Sequence, residues 1–161
     1  MSTCEHYSGY EVIMAAMQVE KNGHRFYSSM AQRSGDLVSE LFSWLAQDEV
    51  EHLRRLERLV EKFEGDEAWG DDEFLPYLHR FRDSEIFPTA EQLEQVLDRT
   101  DSDRQILELA LAAEEKFAAY FHQASTIAKS EEGREAFVWL AQEEERHARI
   151  ICARISKLSS S

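Results

Sequence analysis

The chain has 161 residues, a length suited to one domain whose core needs no disulfides. Its formal net charge of −14 excludes a surface built to neutralise nucleic-acid phosphates and disfavours anionic membranes. Only two prolines and six glycines interrupt a background rich in Ala, Leu, Glu and Gln, which favours long helices over a sheet with many turns.

The first predicted helix covers about 9–33, with Ile13, Met17, Tyr27 and Ala31 at helical spacing, and Ser34-Gly35-Asp36 then supplies a stop and a new N-cap. The second covers about 37–63, carries Leu41, Leu45, Leu56 and Leu59 on or beside one stripe, and ends at Glu64-Gly65. The short turn makes these two an antiparallel hairpin. Residues 65–100 hold both prolines, two acidic Gly-containing segments and short amphipathic pieces near 74–82 and 89–98. This is a crossover connection and not a second domain. The third long helix is expected over about 102–128 and the fourth over about 131–157, with Ser130 as its cap and Glu131-Glu132 in its first turn. The expected fold is all-α: an antiparallel four-helix bundle of two hairpins, one domain over 1–161.

An internal repeat organises the chain. Trp44-Leu45-Ala46-Gln47-Asp48-Glu49-Val50-Glu51-His52 matches Trp139-Leu140-Ala141-Gln142-Glu143-Glu144-Glu145-Arg146-His147, with six identities and one acidic exchange. Upstream, Glu20 with Phe26-Tyr27 corresponds to Glu114 with Tyr120-Phe121. Each half is therefore one helical hairpin with a similar set of residues.

The E-x-x-H spacing in each half sets a carboxylate and an imidazole at i and i+3, side by side on one helix face. Glu49 pairs with His52, and Glu144 with His147. Glu20 and Glu114 lie in apolar stripes of the other two long helices. Glu20 and Glu49 are each about 14 residues from the Ser34-Gly35 turn, or about 21 Å along the helix. Glu114 and Glu144 stand nearly as far from the Lys129-Ser130 turn, so all six groups are expected to meet at mid-bundle. Four carboxylates in an apolar bundle must take up protons or cations, because desolvation and mutual repulsion both oppose their charge. Carboxylate and imidazole ligands suit two ions of iron, with manganese or a mixed pair as alternatives.

The four-helix pattern resembles the ferritin-like superfamily, and most closely its rubrerythrin branch, in which two helices carry Glu and two carry Glu-x-x-His. The resemblance implies Glu20 and Glu114 as the more terminal ligands, Glu49 and Glu144 as bridges, and His52 and His147 as one nitrogen ligand per metal. It further implies reduction of hydrogen peroxide or dioxygen at a di-iron site, and a homodimer suits such a family. Two features depart from it. Rubrerythrins carry a further glutamate one turn after the third-helix ligand, where this chain has Phe117, with Gly23 at the repeat position. They also commonly carry a rubredoxin domain, whereas the cysteines here are Cys4 and Cys152 and form no C-x-x-C pair. The electron donor is then expected to be a separate protein or a small reductant. A ferroxidase for iron storage or detoxification is the rival reading, although the chain ends about ten residues after Ile151, without the short fifth helix usual in storage cages.

Among neighbouring residues, His24 lies one turn beyond Glu20 and supports the ligands or packs in the core. Tyr27 and Tyr120, two turns from the ligands, are expected chiefly to fill the core. Gly23 either leaves room beside the metals for the oxidant or lets two helices approach closely. His6, His79 and His122 read as surface or packing residues, and Trp44 and Trp139 as packing within the hairpins. The N-terminal residues show no charged-then-apolar signal pattern, and no apolar run approaches the roughly 20 residues that span a bilayer. A cytoplasmic location is the expectation.

Overall fold

The computed structural model describes residues 9–63, 90–98, 102–128 and 130–159. Helices α1 (Gly9–Arg33), α2 (Asp36–Phe63), α3 (Ala90–Leu97), α4 (Ser102–Ile127) and α5 (Glu131–Ser159) follow in chain order. The long ones form an antiparallel four-helix bundle, in which α1 packs along α2, α4 along α5, and α2 crosses to α5. The short α3, the one piece of the expected crossover within the described residues, rests on α4. The amphipathic stretch near 74–82, together with Cys4, His6 and His79, lies outside them.

Local chemistry sets the helix ends. Met30 keeps its carbonyl satisfied by both the backbone N–H and the hydroxyl of Ser34, at 3.0 and 2.7 Å, which closes α1. Gly35 then turns the chain beside α4. A Cβ at that position would stand 3.0 Å from Asp103 Oδ2, so a side chain there would require the Asp103 carboxylate to give way by a few tenths of an ångström. At the other hairpin the Ser130 hydroxyl accepts from the Gly133 N–H at 3.1 Å. Such an N-cap stabilises a helix by about 1 kcal/mol.

The duplicated sequence gives duplicated packing. In the first hairpin Tyr27 stacks on Phe42 with ring centroids 5.7 Å apart and planes at 22°. In the second, Phe121 stacks on Phe137 at 6.1 Å and 23°. All four rings are fully buried, and burying one such side chain contributes roughly 1.5–3 kcal/mol. These aromatic pairs hold each hairpin together and leave the middle of the bundle to the polar residues. Among the described residues, no helix is long and apolar enough to cross a membrane.

Candidate metal centre

Every long helix delivers one acidic side chain to the same level of the core. Glu20 from α1, Glu49 from α2, Glu114 from α4 and Glu144 from α5 are 0–2 % exposed, and His52 and His147 are 0 % exposed. Met17, Leu45, Ala110, Phe117 and Leu140, each about one turn along its helix from one of these glutamates, belong to the buried core. The side chains face one another. His52 Nδ1 stands 3.3 Å from Glu20 Oε2, 3.7 Å from Glu49 Oε2 and 3.0 Å from Glu144 Oε1. Across the centre, His147 Nδ1 stands 3.4 Å from Glu49 Oε1, 3.3 Å from Glu114 Oε1 and 3.4 Å from Glu144 Oε2.

These spacings fit a pair of cations. Ligand atoms about 2.1 Å from one ion lie roughly 3.0–3.4 Å from each other in octahedral or tetrahedral arrangements. Glu20, Glu49, His52 and Glu144 form one group able to hold an ion, and Glu49, Glu114, Glu144 and His147 form a second, with all ligand atoms of a group within 4.8 Å of one another. Glu49 and Glu144 belong to both. Glu20 Oε1, Glu114 Oε2 and both oxygens of Glu144 are buried with no hydrogen-bond partner. A buried carboxylate left in that condition is costly, and a cation bound between them removes the cost. The donor set of carboxylate oxygen and imidazole nitrogen suits iron or manganese.

Without such a cation, protons take its place. Burial and the adjacent Glu144 carboxylate push Glu114 up to about 8. Burial disfavours a charged His52, yet the close negative charges of Glu144 and Glu49 outweigh that and push it up to about 11. His147 is driven well above the ordinary imidazole range against the same burial, by Asp48 first and then by the three glutamates around it. Protons and metal ions therefore compete for one set of ligands.

A second layer surrounds the first and was not read from the sequence. Asp48 Oδ2 accepts from His147 Nε2 at 2.6 Å, a bond that holds Asp48 below the usual carboxylate range. Glu143 Oε2 lies 3.5 Å from His52 Nε2. Arg146 donates to both acids, at 2.9 Å to Asp48 and 2.6 Å to Glu143. The signal was present, since an acid directly precedes each shared glutamate in both copies of the repeat.

Trp44 and Trp139 also differ from the expectation of packing within a hairpin. Trp44 on α2 sets its edge against His147 on α5, 5.6 Å between centroids, and Trp139 on α5 does the same to His52 on α2 at 5.4 Å. Because α2 and α5 run antiparallel, each tryptophan, eight residues before its own histidine, meets the histidine of the other hairpin. Arg146 lies over Trp44 and Arg55 over Trp139, at 5.2 and 4.3 Å.

The remaining candidates separate. Tyr27 is more than core filling: its hydroxyl donates to Glu114 Oε1 at 2.5 Å. Tyr120 is buried with its ring edge against Phe121. His24 donates through Nδ1 to the Ala46 carbonyl at 2.9 Å and so ties α1 to α2, because four residues of helix turn it about 40° away from Glu20. Gly23 is buried on α1. His122 is exposed, as read from the sequence, and pairs with Glu145 at 2.6 Å.

Comparison with known proteins gave a match to a family model. No curated protein and no solved structure matches. The Rubrerythrin family model matches residues 11–101, more than half of the 161 residues and including Glu20, Glu49 and His52. On this match, the chain belongs to the rubrerythrin family.

Proposed function

We propose that the chain is a non-haem di-iron redox protein that reduces hydrogen peroxide or dioxygen, with Glu20, Glu49, His52, Glu114, Glu144 and His147 holding the two ions. The observation that carries this reading is the sharing of Glu49 and Glu144 between two otherwise separate ligand groups. Iron bound there would supply the electrons for the reduction.

The chain's own residues would do the rest. Glu20 with His52 and Glu114 with His147 terminate the two ends, while Glu49 and Glu144 each offer one oxygen to either side. Tyr27 keeps its proton at any working pH, since burial and then the neighbouring Glu114 charge raise its pKa well above the ordinary value. Its hydroxyl therefore always donates at Glu114 Oε1, while Oε2 is buried with no hydrogen-bond partner. Fully buried carboxylates exclude bulk water, so charge changes at the centre act on them with little screening. Electrons would reach the site from a separate donor protein or a small reductant.

A second reading has its own observation. Phe117 is 2 % exposed and stacks on Phe121 at 6.0 Å, where the family's further glutamate would stand. A centre lacking that ligand suits oxidation of incoming iron(II) for storage or detoxification. Anaerobic iron loading, metal analysis and stopped-flow absorbance with peroxide and, separately, dioxygen test both. Two irons per chain and faster oxidation by peroxide support the peroxidase. Faster oxidation by dioxygen with continued turnover of added iron(II) supports the ferroxidase, and failure to take up iron removes both.

A further inference from the structure

The two halves of the centre repeat in sequence but differ in their outer contacts. His147 Nε2 is bonded to Asp48 Oδ2 at 2.6 Å. His52 Nε2 is buried without a hydrogen-bond partner, 3.7 Å from Asp48 Oδ2 and 3.5 Å from Glu143 Oε2. Arg146 bonds both outer acids. It draws Glu143 onto its guanidinium at 2.6 Å and braces Asp48 at 2.9 Å. The matching position in the first half is Glu51, which is exposed and paired with Arg54. Asp48, His52, Glu143 and His147 are themselves spaced to hold an ion, but the guanidinium already supplies positive charge there.

The inner contacts are unequal in the same sense. Tyr27 fixes Glu114 at 2.5 Å, whereas the repeat position of Tyr27 in the other half is Phe121, which has no hydroxyl to offer Glu20. Donation of Nε2–H to a carboxylate leaves Nδ1 as the nitrogen that can bind a metal, fixes the ring and makes Nδ1 more basic. His52 lacks that bond and is held by stacking on His147, 5.2 Å between centroids at 14°, and by the edge of Trp139.

We propose that Asp48, braced by Arg146, is a positioning residue for His147, so that the His147–Glu114 half of the centre takes its ion before the His52–Glu20 half. This rests on the six inner residues being a metal centre. A half whose ligands are already oriented loses less conformational freedom on binding, and it therefore binds more tightly.

The test is anaerobic titration of the metal-stripped full chain with Co2+, followed by visible absorption and heat. The expected result is two steps of one ion each, at least about tenfold apart in affinity. Asp48→Ala weakens the tighter step by about 10–100-fold, the usual effect of removing a ligand's outer partner, and leaves the weaker step nearly unchanged. Asp48→Asn keeps an acceptor for Nε2–H and restores most of the loss. Glu20→Gln abolishes the weaker step and Glu114→Gln the tighter. Arg146→Gln releases Glu143 toward His52 and narrows the gap between the steps. Circular dichroism checks each fold, and if Asp48→Ala does not fold, Arg146→Gln and the two glutamate variants decide. Two equal steps in the unmodified chain, loss of the tighter step in Glu20→Gln, or equal weakening by Asp48→Ala and Asp48→Asn overturns the proposal. Absence of any Co2+ uptake by the unmodified chain overturns the metal centre itself.

Discussion

Tyr27 on α1 reaches across the bundle to Glu114 on α4, its hydroxyl 2.5 Å from Oε1, and this bond joins the two hairpins through the centre of the molecule. Tyr27→Phe removes it without changing the ring that stacks on Phe42. Glu114, pushed up to about 8, is uncharged at neutral pH without metal. A buried bond between neutral groups contributes about 0.5–1.5 kcal/mol, so urea unfolding of the metal-stripped variant at neutral pH is expected to show a loss in that range. A loss below about half a kcal/mol, within the range of a neutral surface change, would mean that Glu114 is held by its other neighbours.

Removal of a shared ligand is expected to differ from removal of a terminal one. Glu49 stands in both four-residue groups and Glu20 in one. Glu20→Ala should therefore retain about one ion per chain, whereas Glu49→Ala should weaken both, since each group loses one of its four ligands. Metal analysis after iron loading and gel filtration distinguishes the two. Equal retention by both variants would contradict the sharing.

Metal uptake is expected to release protons. In the metal-stripped chain at pH 7, Glu114 titrates at about 8 and His52 at about 11, and His147 also holds its proton. Binding then displaces about three protons per chain, and apparent affinity rises as pH increases from 6 to 8. Calorimetry in buffers of different ionisation enthalpy counts them, and a count near zero would show that the ligands are already deprotonated.

Stability without metal should fall as the medium becomes alkaline. Both pKa values are raised on folding. Glu114 therefore contributes stability that is complete below its ordinary 4.5 and lost as pH rises through about 8. His52 contributes stability that is complete below 6.5 and lost as pH rises through about 11. The urea midpoint of the metal-stripped chain is expected to drop between pH 7 and 9, while that of the loaded chain changes less. An unchanged midpoint would argue that other charges compensate.

The stacked pairs predict equal sensitivity in the two hairpins. Phe42→Ala and Phe137→Ala each remove a fully buried ring and should cost about 3–5 kcal/mol. Leu37, 69 % exposed, should tolerate alanine within about 0.5 kcal/mol. Chemical denaturation of the three variants checks this, and a mild effect at either phenylalanine would show that its hairpin repacks.

The amino-acid sequence by itself determined the four helices, the two hairpins and the six inner residues. It could do so because each of these depends on distance along one chain: i,i+3 spacing sets Glu49 beside His52, and equal counts from a tight turn set Glu20 level with Glu49. Only the tertiary structure decided which residues meet across hairpins. Asp48 to His147, Arg146 to Glu143 and Asp48, Trp139 to His52 and Tyr27 to Glu114 all depend on how α2 lies against α5 and how α1 faces α4, and no periodicity within a helix encodes that. The repeat even conceals the result, because two nearly identical halves placed face to face leave Nε2 of one histidine bonded and Nε2 of the other not, beside an arginine that only one half carries.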